Sequence, residues 1–258
     1  METDVNGISL FFEQRGGGQP IVLVHGYPLD HTIWEAMVLE MKSPARVILP
    51  DLRGFGRSGL DGEISTMRQM ADDLAALLDR LQIQKTVLVG HSMGGYVTLA
   101  FAAAYPDRLS GIGFVSSQAA ADSAERRAGR YAQAEEILAH GTRILAETMT
   151  PKLAADQQFH ADIYRVILRS QPKGLAAALK GMAERADTNG TLPTIGVPGV
   201  VITGLDDQLI PVERSRELSA GMSRAELVEI AGAGHMPMME QPSLTAAALD
   251  KLLLEVQG

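Results

Sequence analysis

The 258-residue chain has no cysteine, which rules out disulfides and a thiolate nucleophile and says little about redox compartment. Basic residues are in deficit: Lys plus Arg number 23 against 31 Asp plus Glu, a formal charge of -8 that opposes attraction to nucleic acid or anionic membrane surfaces. No uninterrupted apolar run approaches the roughly 20 residues that a membrane span requires. The opening METDVNGISL carries acids and lacks a basic start followed by an apolar run, so it does not read as a secretory signal, and the cytoplasm is the expected location. There is no G-K-[ST] loop for nucleotide phosphates and no H-E-x-x-H pair for zinc, and the six histidines are dispersed. No metal and no cofactor are therefore expected, nor is there an internal repeat.

What is present is an alternation of periods. Short runs rich in Val, Ile and Leu begin at Ile21, Arg46, Thr86, Ile112 and Val200, and each ends in Gly, Ser or Asp, as strands buried in a parallel sheet do. Helical periodicity separates them over Thr66 to Leu81, Met93 to Tyr105, Val212 to Ala220 and Ser243 to Val256. The stretch from Gly7 to Gln14, followed by Gly16, Gly17 and Gly18, reads as an antiparallel strand and turn leading into Ile21. The expected fold class is α/β, with helices on both faces of a mostly parallel sheet and ligands bound beyond the carboxyl ends of its strands.

The alternation lapses between Ser117 and Pro198, where four helical patterns follow one another and Pro151 and Pro172 stand at expected helix starts. The expected organisation is a core of residues 1–117 and 198–258 interrupted by an all-helical insertion over 118–197. This insertion leaves from the carboxyl end of a strand, which favours a lid that shapes a pocket.

Gly90-His91-Ser92-Met93-Gly94 fits G-x-S-x-G, directly after one strand and directly before a helix. That context is demanding: the chain must reverse sharply, the serine is forced into a strained conformation, and small residues two before and two after let neighbouring backbone come close. A serine hydroxyl becomes a nucleophile only when a base takes its proton, and N–H groups at the helix start, chiefly that of Met93, suit an oxyanion. The base should lie C-terminal to Ser92 with an acid between. Of His140, His160 and His235, only His235 stands in a glycine-flanked loop after a strand-like run. Asp206 and Asp207 both follow the strand ending at Gly204, and spacing alone leaves the choice between them open. The loop His25-Gly26-Tyr27-Pro28 offers a second oxyanion donor in the Tyr27 N–H and places the Tyr27 side chain on the pocket wall. His25 and His91 read as hydrogen-bonding supports and His31 as rim. Met236, in the methionine cluster beside His235, reads as a substrate contact on an adaptable apolar wall. Trp34 reads equally as a core anchor and as a substrate contact, and Asp51 and Arg53 as a structural ion pair. Gly54, Gly56 and Gly59 spell G-x-G-x-x-G, but no helix opens at Gly59, so the stretch reads as a loop.

Taken in order, His25-Gly26-Tyr27-Pro28, Asp51-Leu52-Arg53-Gly54-Phe55-Gly56-Arg57-Ser58, Gly90-His91-Ser92-Met93-Gly94-Gly95, Gly204-Leu205-Asp206-Asp207 and Gly234-His235 resemble the α/β-hydrolase superfamily from first strand to last helix. The resemblance implies an eight-stranded sheet, a cap domain in the insertion, and Asp207 as the acid, through its spacing from Gly204 and Pro211. It is similar to small serine carboxylesterases, enol-lactonases and cofactor-free haloperoxidase-like members. Ser92 stands where epoxide hydrolases and haloalkane dehalogenases carry aspartate, and His91 and Pro28 depart from the pattern of carbon-carbon bond hydrolases. Haloperoxidases more often carry Phe at the position of His91.

The expected activity is hydrolysis of carboxylic esters of small, largely apolar molecules through an acyl-enzyme, with a catalytic set of Ser92, Asp207 and His235. The expected partner is that small-molecule ester, with no nucleic acid and no membrane. Lactone or enol-lactone opening, perhydrolysis, carbon-carbon bond hydrolysis and a non-catalytic ligand receptor are the alternatives.

Overall fold

The computed structural model describes residues 1–257. The aliphatic runs form the strands: β1 (Glu2–Val5), β2 (Ile8–Gly16), β3 (Gln19–Val24), β4 (Ala45–Pro50), β5 (Thr86–His91), β6 (Leu109–Val115), β7 (Gly199–Gly204) and β8 (Ala225–Ile230). They join in one sheet of order β1-β2-β4-β3-β5-β6-β7-β8. β1 and β2 pair antiparallel to their neighbours, and every pairing from β4 through β8 is parallel. β5 and β7 are buried at every residue, which accounts for continuous apolar runs in place of alternation. β1 has no counterpart in the sequence reading, because half of its four residues are exposed and it lacks an apolar pattern.

Helices cover both faces: α1 (Glu35–Glu40), α2 (Met67–Arg80), α3 (Met93–Ala104), then α4 (Ala124–His140), α5 (Arg143–Leu153), α6 (His160–Arg169) and α7 (Pro172–Ala183) between β6 and β7, and finally α8 (Val212–Ala220), α9 (Pro237–Glu240) and α10 (Pro242–Gln257). α2 begins where a capping box permits it: the Thr66 hydroxyl accepts the Gln69 N–H, and the Gln69 side chain accepts the Thr66 N–H. Its buried face, Met67, Met70, Leu74, Leu77 and Leu78, repeats at helical spacing. Each such side chain contributes about 1.5–3 kcal/mol when fully removed from water. Trp34 is fully buried and belongs to this core. No helix among the described residues is long and apolar enough to cross a membrane.

Three local expectations are corrected. Pro172 opens α7, but Pro151 lies inside the last turn of α5. That helix ends two residues later, where Ala154 turns extended and a carboxylate from α9 captures the next two N–H groups. Arg53 pairs with Asp73 at 2.6 Å, not with Asp51, whose carboxylate instead receives the His31 ring at 2.6 Å. His31 is accordingly buried rather than on a rim. The stretch from Gly54 to Gly59 is a loop, as its sequence context predicts, and Met67 opens the next helix.

The chain runs from β3 to β4 on one side and reaches β5 on the other, so the order reverses at β3. At that point the carboxyl ends of β3 and β5 part, leaving a crevice that helical connections do not fill. Both Tyr27 and Ser92 follow these two ends directly.

Candidate active site

Ser92 sits between the last residue of β5 and the first of α3 with φ +51° and ψ -112°, a region that side chains other than glycine rarely occupy. The turn is over-determined. Ser92 N–H donates to the Val115 carbonyl at 2.9 Å, and the Ser92 carbonyl accepts from the Ser117 hydroxyl at 2.9 Å. A Cβ at Gly90 would strike the backbone of Gly94, and one at Gly94 would strike the carbonyls of Val24 and His25. Only glycine fits at either position, which is the physical content of the G-x-S-x-G spacing.

His235 is carried by the loop after β8 and is almost fully buried. Its Nδ1 lies 2.8 Å from Asp207 Oδ2, and both side chains are only 1% exposed. The other carboxylate oxygen of Asp207 accepts N–H groups of Leu209 at 2.8 Å and Ile210 at 3.0 Å. Burial alone would raise the Asp207 pKa; the His235 charge and hydrogen bond and these two N–H groups outweigh it and hold the carboxyl below its ordinary range. An ionised Asp207 fixes the proton of His235 on Nδ1 and leaves Nε2 free to accept. Asp206 is exposed, and of the two aspartates it is Asp207 that meets the histidine.

Ser92 and His235 line the same cavity, of about 510 Å³, together with Tyr27. Met93 provides the first N–H of α3, one of the four that have no intrahelical acceptor. The Tyr27 N–H also lacks an acceptor within the chain among the described residues. The Tyr27 ring packs at a right angle to Phe55, 6.3 Å between centroids.

His91 lies under the histidine loop. Its Nε2 donates to the His235 carbonyl at 2.9 Å, and the two ring centroids lie 4.8 Å apart with the planes tilted by 60°. Burial, then the charge of His235, push the His91 pKa well below the ordinary imidazole value, so it is a neutral support. His25 is likewise lowered by burial, and its Nε2 accepts the Leu52 N–H at 2.9 Å. His140 and His160 lie in the helical insertion, away from this cavity.

The remaining walls come from the insertion and from the loop after β7: Met149, Met182, Leu209 and Ile210 are apolar, while Arg126, Arg130 and Gln133 project from α4. Met236 is fully buried in the hydrophobic core and is not among the residues that line this cavity. Met149 and Met182 are the methionines that face the cavity. Glu240, which the sequence did not single out, tethers the site from behind: Oε2 accepts the Gly234 N–H at 2.8 Å, and Oε1 accepts those of Ala155 and Asp156 at 2.7 and 2.9 Å.

A serine on a strained strand-to-helix turn, sharing a cavity with an imidazole held by a buried carboxylate at the carboxyl edge of a mostly parallel sheet, is the arrangement of an α/β-type hydrolase. Residues 21–248 match the pattern of the Alpha/beta hydrolase family, and the chain belongs to that family. The AB hydrolase superfamily protein YisY of Bacillus subtilis is 30% identical over 91% of each chain. Among solved structures, a thermophilic esterase from Thermogutta terrifontis, with malate bound, superposes with a TM-score of 0.95 and 41% identity, covering 100% of this chain and 97% of that one. The enol-lactonase from Burkholderia xenovorans LB400 superposes with a TM-score of 0.91 and 26% identity, covering 99% and 100%.

Proposed function

We propose that this hydrolase cleaves carboxylic esters of small molecules by two-step acyl transfer, with Ser92 as nucleophile, His235 as general base and Asp207 as the acid that orients the histidine. One observation carries the reading: the imidazole bonded to Asp207 lines the same cavity as the strained Ser92. Ser92 Oγ attacks the ester carbonyl as its proton passes to His235 Nε2, and the imidazolium formed rests on the Asp207 carboxylate. The oxyanion is received by the N–H groups of Tyr27 and Met93, both free of partners among the described residues. His235 then returns the proton to the departing alcohol. Water, deprotonated by the same nitrogen, attacks the acyl-enzyme, and the acid leaves. The helical segment between β6 and β7 acts as the cap, since Arg126, Arg130, Met149 and Met182 wall the cavity.

The likeness to an esterase at 41% identity over the whole chain supports this substrate class, and the likeness to an enol-lactonase supports a second reading in which the same serine opens a lactone. A fluorophosphonate probe and p-nitrophenyl butyrate test the assignment together. The wild-type chain is expected to be labelled at Ser92 and to hydrolyse the ester, and Ser92→Ala to lose both properties with its circular dichroism unchanged. Ester turnover by Ser92→Ala at the wild-type rate overturns the assignment.

A further inference from the structure

The cavity has two unlike sides. One carries Ser92, His235 and the apolar Leu209 and Ile210, whereas α4 contributes Ser123, Arg126, Arg130 and Gln133 from a single helical face. Ser123 is engaged in starting the helix, accepting the Arg126 N–H at 3.1 Å. The two arginines belong to a cluster around Asp122, a carboxylate just before α4 whose side chain is 1% exposed.

Asp122 is over-subscribed. Arg130 binds it through Nε and Nη2, Arg185 donates to it at 3.0 Å, and Arg126 stands off at 3.8 Å. Three guanidiniums therefore share one buried carboxylate, and Glu125 at the cavity wall offsets one further charge. Arg185 has the charge of Asp187 beside it as well as that of Asp122, whereas the two cavity arginines share the crowded Asp122. Arg185 is committed elsewhere: its guanidinium lies 4.0 Å over the Tyr96 ring and it does not line this cavity. The under-used donors are those of Arg126, half exposed at 46% and 3.8 Å from Asp122, and of Arg130, whose Nη1 meets only the Met182 thioether at 3.4 Å. A thioether is a weak acceptor, so that N–H pair is under-used.

A second group points the same way. Tyr27 lines the cavity at 7% exposure, and among the described residues its hydroxyl, itself buried, has no hydrogen-bond partner. A buried hydroxyl left unpaired costs about 1–3 kcal/mol unless something supplies an acceptor. Guanidinium edges short of acceptors on this cavity, with an unpaired phenol buried in the same wall, want an oxygen-rich anion. Planar guanidiniums with N–H groups to spare match a carboxylate.

We propose that the pocket selects esters that carry a free carboxylate at the far end of a short aliphatic acyl chain, with Arg126 and Arg130 receiving that carboxylate while Ser92 attacks the ester. The inference rests on the acyl-transfer reading of Ser92 and deepens it: the preferred substrates are half-esters of small dicarboxylic acids. Met149, Met182, Leu209 and Ile210 would flank the methylene spacer.

Monomethyl glutarate and methyl pentanoate have acyl chains of equal carbon number and differ in whether the far end is a carboxylate or a methyl group. Their hydrolysis by the wild-type chain, followed by pH-stat titration, is expected to favour the half-ester by about ten-fold in kcat/KM at low salt, with the preference narrowing as NaCl screens the arginines. Arg126→Gln, at a half-exposed position where folding is not at stake, should bring the ratio of the two kcat/KM values to about one, and Arg126→Lys should restore part of it. A wild-type preference for methyl pentanoate, or a ratio that Arg126→Gln leaves unchanged, overturns the proposal while leaving the nucleophile assignment standing. Failure to turn over either ester or p-nitrophenyl butyrate, with no fluorophosphonate labelling, overturns both.

Discussion

Glu240 accepts the N–H of Gly234, the residue before His235, at 2.8 Å, while its other oxygen holds Ala155 and Asp156 of the helical insertion. One nearly buried carboxylate thus fixes the histidine loop and the segment between α5 and α6 against each other. Three N–H groups depend on it. Hydrogen bonds to a charged acceptor are each worth about 1.5–3 kcal/mol, so Glu240→Ala is expected to cost about 3 kcal/mol or more. Glu240→Gln, which keeps one acceptor oxygen but turns an NH₂ toward the other donors, should cost about 2 kcal/mol. Urea unfolding measures both. Ester kinetics should show kcat falling more than KM changes, because the loop that slackens carries His235, the general base, and none of the apolar residues that wall the cavity. A Glu240→Ala chain with the wild-type urea midpoint would contradict this account.

The strain at Ser92 makes a separate prediction. Ser92→Ala and Ser92→Gly both delete the hydroxyl and both abolish turnover, but only glycine adopts φ +51° and ψ -112° without steric cost. Residues held in such regions cost about 1–3 kcal/mol, partly offset by the larger unfolded-state freedom of glycine. Ser92→Gly should therefore be more stable than Ser92→Ala by about 1 kcal/mol in urea or thermal unfolding. Equal stability, or the reverse order, would mean that the turn carries no strain.

The parts of this site that the sequence discloses are those whose signal is local. Ser92 is legible because strand, glycine spacing and helix all fall within ten residues. His235 is legible by elimination, since the other two histidines after Ser92 sit in helical patterns. Asp207 needed the family resemblance, because Asp206 satisfies the same spacing and only the fold turns one of them toward the ring. Glu240 was invisible: its partners Ala155 and Asp156 are more than 80 positions away, and backbone N–H groups leave no mark on residue identity. The placement of Met236 ran opposite to expectation for a related reason. Methionine fills core and pocket wall alike, so only the direction of the Cα–Cβ bond separates the two. The pairing of Arg53 with Asp73 and of Asp51 with His31 likewise depends on α2 and the loop after β3 packing together.

His91 contacts the carbonyl of His235, yet it should not titrate with it. Burial and the neighbouring imidazole charge keep its pKa well below the ordinary value, and the hydrogen bond to a carbonyl requires the proton on Nε2. Long-range ¹H–¹⁵N correlation spectra should show His91 as the neutral Nε2–H tautomer from pH 8 down to about pH 5, below the unperturbed imidazole value. The acidic limb of kcat/KM should then follow a single ionisation. A His91 resonance that moves to the imidazolium position near pH 6.5 would remove the basis for calling it a neutral support.

Asp122 sets the pH dependence of the arginine wall. Burial pushes its pKa up, but the Arg130 hydrogen bond and charge, followed by the charges of Arg185 and Arg126, prevail and hold it below the ordinary carboxylate value. A carboxyl whose folded-state pKa is depressed stabilises the protein fully above its unfolded value, near about pH 4, and loses that contribution as pH falls through the lower folded-state value. Asp122→Asn removes the charge at every pH and leaves Arg130 and Arg185, 12% and 5% exposed, without their counter-charge. Breaking a buried pair in this way costs about 3 kcal/mol. The stability gap between wild type and Asp122→Asn should accordingly be widest at pH 7 and shrink below about pH 4, because there the wild-type carboxyl is itself being protonated. Urea unfolding at pH 7, 5 and 3 reads the gap directly, and a gap of the same size at all three would show that Asp122 is not the carboxylate on which the cluster is built.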